Sequence, residues 1–204
     1  MTIISLNGNI GAGKSTLMGK LEELYKENDK IIIVKEPVDV WEGIKDEQGV
    51  GLLENFYKNQ AKFAFSFQMT AYISLLALLK KTRIDHPDKV IIVERCMNSS
   101  RNIFAKMLHD DGLITLIDNT IYNQWYNEFI NELGDIKYVY LKIDAEECLR
   151  RIKKRNRKGE DNISLNYLKK VEKYHDDWLL QKEMDTIILN DNTDLSFVEK
   201  LTRI

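Results

Sequence analysis

Residues 3–15 read Ile3-Ile4-Ser5-Leu6-Asn7-Gly8-Asn9-Ile10-Gly11-Ala12-Gly13-Lys14-Ser15. A short β-branched run passes into a loop of the form GxxxxGK[ST], and the Leu17, Leu21, Leu24 spacing beyond it is helical. Strand, glycine loop and helix in that order make a cradle for phosphate. The glycines let successive backbone N–H groups turn inward, and the helix adds the positive end of its dipole. Gly8, Asn9, Ile10, Gly11, Ala12 and Gly13 line the cradle and Lys14 reaches the β- and γ-phosphates of a nucleotide. The Ser15 hydroxyl is a ligand for Mg²⁺, and Thr16 supports the α-phosphate.

Four more β-branched runs follow, at residues 31–34, 90–93, 138–143 and 187–189, each separated from the next by segments of helical spacing such as Leu165, Leu168 and Val171. Continuous apolar runs suit strands buried on both faces. Their alternation with helices predicts right-handed βαβ units, and so a doubly wound α/β fold with a five-stranded parallel sheet flanked by helices. Ligands of such a sheet bind beyond the carboxyl ends of its strands.

With 204 residues, 44% of them hydrophobic and 30% charged, the chain can bury a core as one domain, 1–204, without disulfides or a structural metal. A net charge of −2 gives no electrostatic footprint for nucleic acid or a membrane surface. Cys96 and Cys148 lack any ligand spacing and read as buried thiols. The apolar N-terminal run is a strand rather than a signal peptide, and no run reaches the roughly 18 uninterrupted apolar residues of a membrane span. A soluble, cytoplasmic protein is expected. His86, His109 and His175 have no ligand spacing and read as surface residues.

The chemistry should therefore follow each strand. After the second comes Glu36-Pro37-Val38-Asp39-Val40-Trp41, whose carboxylate can serve as general base for a hydroxyl acceptor. After the third, Glu94 can hold Mg²⁺ through its waters, and Arg95 can stabilise the acceptor oxygen or the moving phosphoryl group. After the fourth, residues 150–158 carry seven basic residues in nine positions. A lid over the phosphates, at about 151–162, is expected there, with Arg151, Arg155 and Arg157 converging on the transferring group.

Taken together, the phosphate loop, EPVxxW (Glu36 to Trp41), the ER pair with a downstream arginine (Glu94, Arg95, Arg101) and the RxxxRxR lid resemble the deoxynucleoside kinase family over residues 3–180. The resemblance implies the P-loop nucleoside kinase fold, ATP as phosphate donor, Mg²⁺, and transfer to the 5'-hydroxyl of a deoxyribonucleoside. It further implies that Gln68 pairs with the base edge, Phe104 stacks on the base, Trp41 and Phe67 wall the cleft, and Tyr57 and Glu160 bind the 3'-hydroxyl. Leu75 and Ser100 stand where purine-accepting members tend to carry Arg and Asp, which points to thymidine or deoxycytidine. Thymidine-accepting insect and mitochondrial members usually have alanine at the Ser100 position and ERS where this chain reads Glu94-Arg95-Cys96. Members commonly form homodimers, here through residues 63–79 and 113–133.

Two rivals share the phosphate loop. Thymidylate or other nucleoside monophosphate kinases typically follow EP with a glycine pair and carry a DR motif, and neither pattern is present. A nucleotide switch or nucleic-acid-binding protein would rest on the basic run alone, without an NKxD-type motif.

Overall fold

The computed structural model describes residues 2–157 and 159–202; Lys158 of the basic run lies outside them. Five strands, β1 (Ile3–Gly8), β2 (Ile31–Val34), β3 (Val90–Glu94), β4 (Ile136–Leu141) and β5 (Thr186–Leu189), form one sheet in the order β2-β3-β1-β4-β5. Every pairing is parallel, with Ile3 opposite both Ile91 and Ile136. The crossover helices are α1 (Lys14–Leu24), α2 (Val38–Gly43), α3 (Leu52–Lys58), α4 (Gln60–Asp85), α5 (Met97–Ser99), α6 (Lys106–Asp110), α7 (Leu116–Phe129), α8 (Ala145–Arg155) and α9 (Leu165–Leu179), and α10 (Phe197–Thr202) follows β5.

The strand residues are mostly apolar because helices cover both faces of the central strands, with Ser5 and Asn7 of β1 buried as a hydrogen-bonded pair. Ile3, Ile91 and Val93 pack under α3, α4 and α7, while Ile4, Leu6, Ile92 and Val139 pack under α1, α8 and α9. By length and apolar composition α4 would suit a membrane span, but it places Phe67, Tyr72, Leu75 and Leu79 in the first of these clusters. Truncating Leu79, fully buried there, to alanine is expected to cost about 2–5 kcal/mol of stability.

Three details differ from the sequence reading. The fourth strand runs 136–141 rather than 138–143, because Gly134, at φ 75°, makes the turn into it and Asp144 already accepts the first helical bond of α8. Leu24 ends α1 and is exposed, so the apolar stripe of that helix stops at Leu21. His175 is not at the surface. It lies one turn beyond Val171 on the inner face of α9 and is fully buried. Both cysteines are buried thiols as expected.

Candidate active site

The loop between β1 and α1 has the conformation its glycines permit. Gly11 and Gly13 have φ of 81° and 103°, and a Cβ at Gly11 would stand 2.5 Å from the Cys148 carbonyl oxygen. No side chain caps α1, so its first N–H groups are left to a ligand. Lys14 is buried and donates to the carbonyls of Gly8 (3.1 Å) and Asn9 (2.9 Å). Burial, and then the charge of Arg95, lowers its pKa to about 8. Asn9 anchors the loop to α9 by donating to the Leu168 carbonyl at 2.9 Å, so it supports the cradle from behind.

Ser15 Oγ donates to Glu94 Oε1 at 3.0 Å. The Glu94 carboxyl is pushed above the ordinary range by burial and then by the charge of Glu36. A hydroxyl and a carboxylate side by side at the mouth of a phosphate loop are the hard oxygen donors that Mg²⁺ takes alongside substrate phosphates, so these residues fit that ion.

At the end of β3 the chain turns sharply: Arg95 has φ 59°, rare for a residue with a side chain. Its guanidinium donates to Glu36 Oε1 at 2.6 Å and to the Gly8 carbonyl at 3.3 Å, and rests 4.9 Å from the centre of the Phe104 ring. Burial opposes the Arg95 charge, but Glu36 more than offsets it and raises the pKa. Beyond α5 the helix widens into a π-helical stretch, Ser100–Ala105, before α6. That turn brings both Ser100 and Phe104 to the cleft, a use typical of such wide turns.

A cavity of about 490 Å³ joins these parts. Gly11, Gly13, Lys14, Ser15, Thr16, Arg151, Arg155 and Arg157 line its phosphate end, with Ile10 beside them. Glu36, Glu94 and Arg95 stand at its middle, and Trp41, Tyr57, Phe67, Gln68, Phe104 and Glu160 line the rest, with Leu75 and Ser100. Trp41 meets Phe67 edge-on at 5.5 Å and is held by donating Nε1–H to Ser74 Oγ at 2.8 Å. Gly8, Asn9 and Ala12 do not line the cavity. Ala12 instead offers its carbonyl to Arg151 at 2.6 Å.

Arg151, Arg155 and Arg157 of the basic run reach the cavity, but they do not converge on one point. Arg151 also donates to Glu147 at 2.7 Å, and Arg155 grips Glu160 through two bonds of 2.8 and 2.6 Å. Arg157 lies 3.8 Å from the same carboxylate, which is almost fully buried. Glu160 is thus held beside Tyr57, whose phenol pKa is raised by burial and then by Glu160. Arg101 turns away, donating to Asn123 at 2.8 Å and covering the Tyr126 ring.

Sequence reasoning missed Tyr167, Val38 and Ala71 in the cavity wall, whereas Leu53 and Phe56, also in that wall, lie in the 53–58 stretch that the family resemblance assigns to the nucleoside side. Tyr167 sits four residues before Val171 and eight before His175, a spacing that places it on the inward face of α9 and was readable. Phe56 stacks on Phe67 at 4.6 Å, a contact between helices that no local pattern reveals.

The model of the deoxynucleoside kinase family matches residues 4–203. The chain belongs to the deoxynucleoside kinase family. Among similar proteins, a fowlpox virus protein named probable deoxycytidine kinase is 34% identical over 98% of this chain and 82% of its own length. Deoxycytidine kinase 2 of Gallus gallus is 33% identical over 89% and 75%. Human mitochondrial thymidine kinase 2 is 28% identical over 88% and 65%. This kinase is therefore an ATP-dependent phosphotransferase acting on a nucleoside, and membership in the family replaces the monophosphate-kinase and nucleotide-switch assignments.

Proposed function

We propose that this kinase, as a single domain with a lid at about 151–162, moves the γ-phosphoryl group of ATP to the 5'-hydroxyl of a pyrimidine deoxyribonucleoside. One observation carries the reading. A single cavity runs from the phosphate cradle to an aromatic slot, and the 2.6 Å Glu36–Arg95 pair stands between the two ends.

With a nucleoside in the slot, Trp41, Phe67 and Phe104 enclose the base, Gln68 meets its edge through an amide that both donates and accepts, and Tyr57 with Glu160 binds the 3'-hydroxyl. The 5'-hydroxyl then points toward Glu36, which takes its proton as the oxygen attacks phosphorus. Lys14 leaves the Gly8 and Asn9 carbonyls for the β- and γ-phosphates, while Arg95 and the lid arginines spread over the group in flight. Ser15 and Glu94 would hold Mg²⁺ at the mouth of the loop, and the ion would supply positive charge to the donor phosphates. Closure of the lid excludes water that would otherwise hydrolyse ATP.

A pyrimidine is favoured because Leu75 and Ser100 line the slot without the charged pair that a purine-accepting relative tends to carry, and because relatives named deoxycytidine kinase and thymidine kinase 2 are among the matches. A homodimer is supported by exposed apolar residues on two neighbouring helices: Ile73 on α4, and Leu116, Ile117, Ile121 and Trp125 on α7. The test is the ratio of kcat/KM for thymidine and deoxycytidine to that for deoxyadenosine and deoxyguanosine. A ratio of about ten or more is expected for at least one pyrimidine, the worth of one well-placed hydrogen bond to the base. Equal turnover of all four would remove the pyrimidine assignment.

A further inference from the structure

The arginines of the cavity are paired with acids. Arg95 donates to Glu36 at 2.6 Å, Arg151 to Glu147 at 2.7 Å, and Arg155 to Glu160 at 2.8 and 2.6 Å. Glu147 does not line the cavity, and Glu36 has the acceptor proton as its task. Glu160 differs from both. It lines the cavity, is only 5% exposed, and accepts from one edge of the guanidinium, Nε to Oε2 and Nη2 to Oε1. Two such parallel bonds fix the plane of a guanidinium as well as its place. They leave Nη1, with its two N–H groups, outside the pair.

Of the two partners the acid is the fixed one. Gly159, at φ 88°, lets the chain pass so close to α3 that a Cβ there would stand 3.2 Å from the Glu54 Cα. On the other side Ile163 is buried in the cluster beneath α1, α8 and α9, and its N–H donates to the Glu160 carbonyl at 3.0 Å. Arg155 is the last residue of α8, its side chain is 36% exposed, and Asn156, at φ 48°, turns the chain away after it. A long side chain at a helix end has many rotamers to choose from, and the buried carboxylate selects one of them.

We propose that Glu160 is a positioning residue for Arg155: it keeps both bonds through the reaction and so presents Nη1 of Arg155 to the transferring phosphoryl group. The carboxylate has lone pairs left over from the two arginine bonds, and these remain for the 3'-hydroxyl. One acid then serves both ends of the cavity, and a residue assigned to sugar binding acts on the chemical step as well. The arginine is ordered before the donor arrives, so its ordering is not left to the transition state. The inference rests on the kinase reading above.

The test compares Glu160→Gln with the parent enzyme on a pyrimidine deoxyribonucleoside and on its 2',3'-dideoxy analogue, at saturating ATP and Mg²⁺. Glutamine keeps one acceptor oxygen but cannot take both N–H groups. The analogue has no 3'-hydroxyl, so a residue that served that group alone would be silent with it. The expected result is a kcat lower by about tenfold or more on both substrates, the scale of a small misplacement near the reacting atoms, with the nucleoside KM raised for the deoxyribonucleoside alone. A kcat on the analogue within about twofold of the parent value would confine Glu160 to sugar binding and overturn the inference, leaving the kinase reading intact. A parent enzyme that turns over neither substrate would remove that reading and the inference with it.

Arg155→Lys keeps the charge but not the fork, and should lower kcat on the analogue to a similar extent. Adding Glu160→Gln to it should cost less than about a further twofold, because the two residues act as one unit. Losses that multiply would mean separate tasks and would overturn the inference. The parent protein decides the matter if these variants fail to fold. ¹⁵N spectroscopy of the full chain, with the nucleoside, adenylyl imidodiphosphate and Mg²⁺ bound, should show the Arg155 Nε–H exchanging with water as slowly as in the free protein. Fast exchange in the complex would show that the pair has opened, and would overturn the inference.

Discussion

The Glu36 carboxylate and the Arg95 guanidinium, from the ends of adjacent strands β2 and β3, lie 2.6 Å apart and are largely shielded from solvent. Each therefore fixes the direction of the other, and both face the cavity where an acceptor hydroxyl would meet a phosphate. Glu36→Gln keeps the shape and a hydrogen bond but removes the carboxylate proposed to take the acceptor proton. It should lower kcat by about 10² or more with little change in the nucleoside KM. Steady-state kinetics check this, and a near-normal kcat would take Glu36 out of the proton transfer.

Lys14 gives a pH dependence with a definite sign. Its pKa of about 8 in the donor-free fold lies below the ordinary 10.5, so between these values the folded protein binds fewer protons than the unfolded chain. Stability contributed through this group therefore rises as pH climbs from about 8 toward 10.5. Donor binding behaves in the opposite sense, because phosphates favour the charged lysine. The kcat/KM for ATP should fall above pH 8, whereas kcat, which reports the complex, should hold to higher pH. Matching profiles for the two parameters would count against this placement of Lys14.

Tyr57 and Glu160 stand together at the cavity wall, and Arg155 clamps Glu160 through two bonds. If they bind the 3'-hydroxyl, the parent enzyme should favour a 2'-deoxynucleoside over its 2',3'-dideoxy analogue by about tenfold or more, the worth of one or more hydrogen bonds. Tyr57→Phe should shrink that preference while leaving the ATP KM unchanged. An unaltered preference would place the sugar elsewhere.

Leu116 and Ile117 are each 73% exposed at the start of α7, so replacing them cannot disturb the core. Leu116→Glu combined with Ile117→Glu should convert a dimer to a monomer in sedimentation equilibrium, with the unfolding midpoint little changed in the monomer itself. A parent protein that sediments as a monomer would rule out the proposed interface.

Much of this arrangement is legible in the amino-acid sequence. The phosphate loop was legible because one short segment holds all its parts, and the five strands because a sheet flanked by helices leaves short β-branched runs even at its half-buried edges. What stayed hidden depends on contacts between distant segments. The π-helical turn that aims Ser100 and Phe104 has no local signature. Arg101 sits among motif residues yet turns to α7. His175 follows the inward periodicity of Leu168 and Val171, but Lys173, Asp176 and Asp177 around it disguise that face as a charged one. The arginines of residues 150–158 were visible as a cluster, while the engagement of Arg155 by Glu160 required the fold.

A nucleoside hydroxyl as acceptor is what separates this kinase from one that phosphorylates a monophosphate. The measurement is incubation with ATP and Mg²⁺ against thymidine, deoxycytidine and thymidine monophosphate in parallel, with ADP release followed and each product identified by its site of phosphorylation. Formation of a nucleoside 5'-monophosphate from thymidine or deoxycytidine is the predicted result. Turnover of thymidine monophosphate alone, with both nucleosides untouched, would contradict the account.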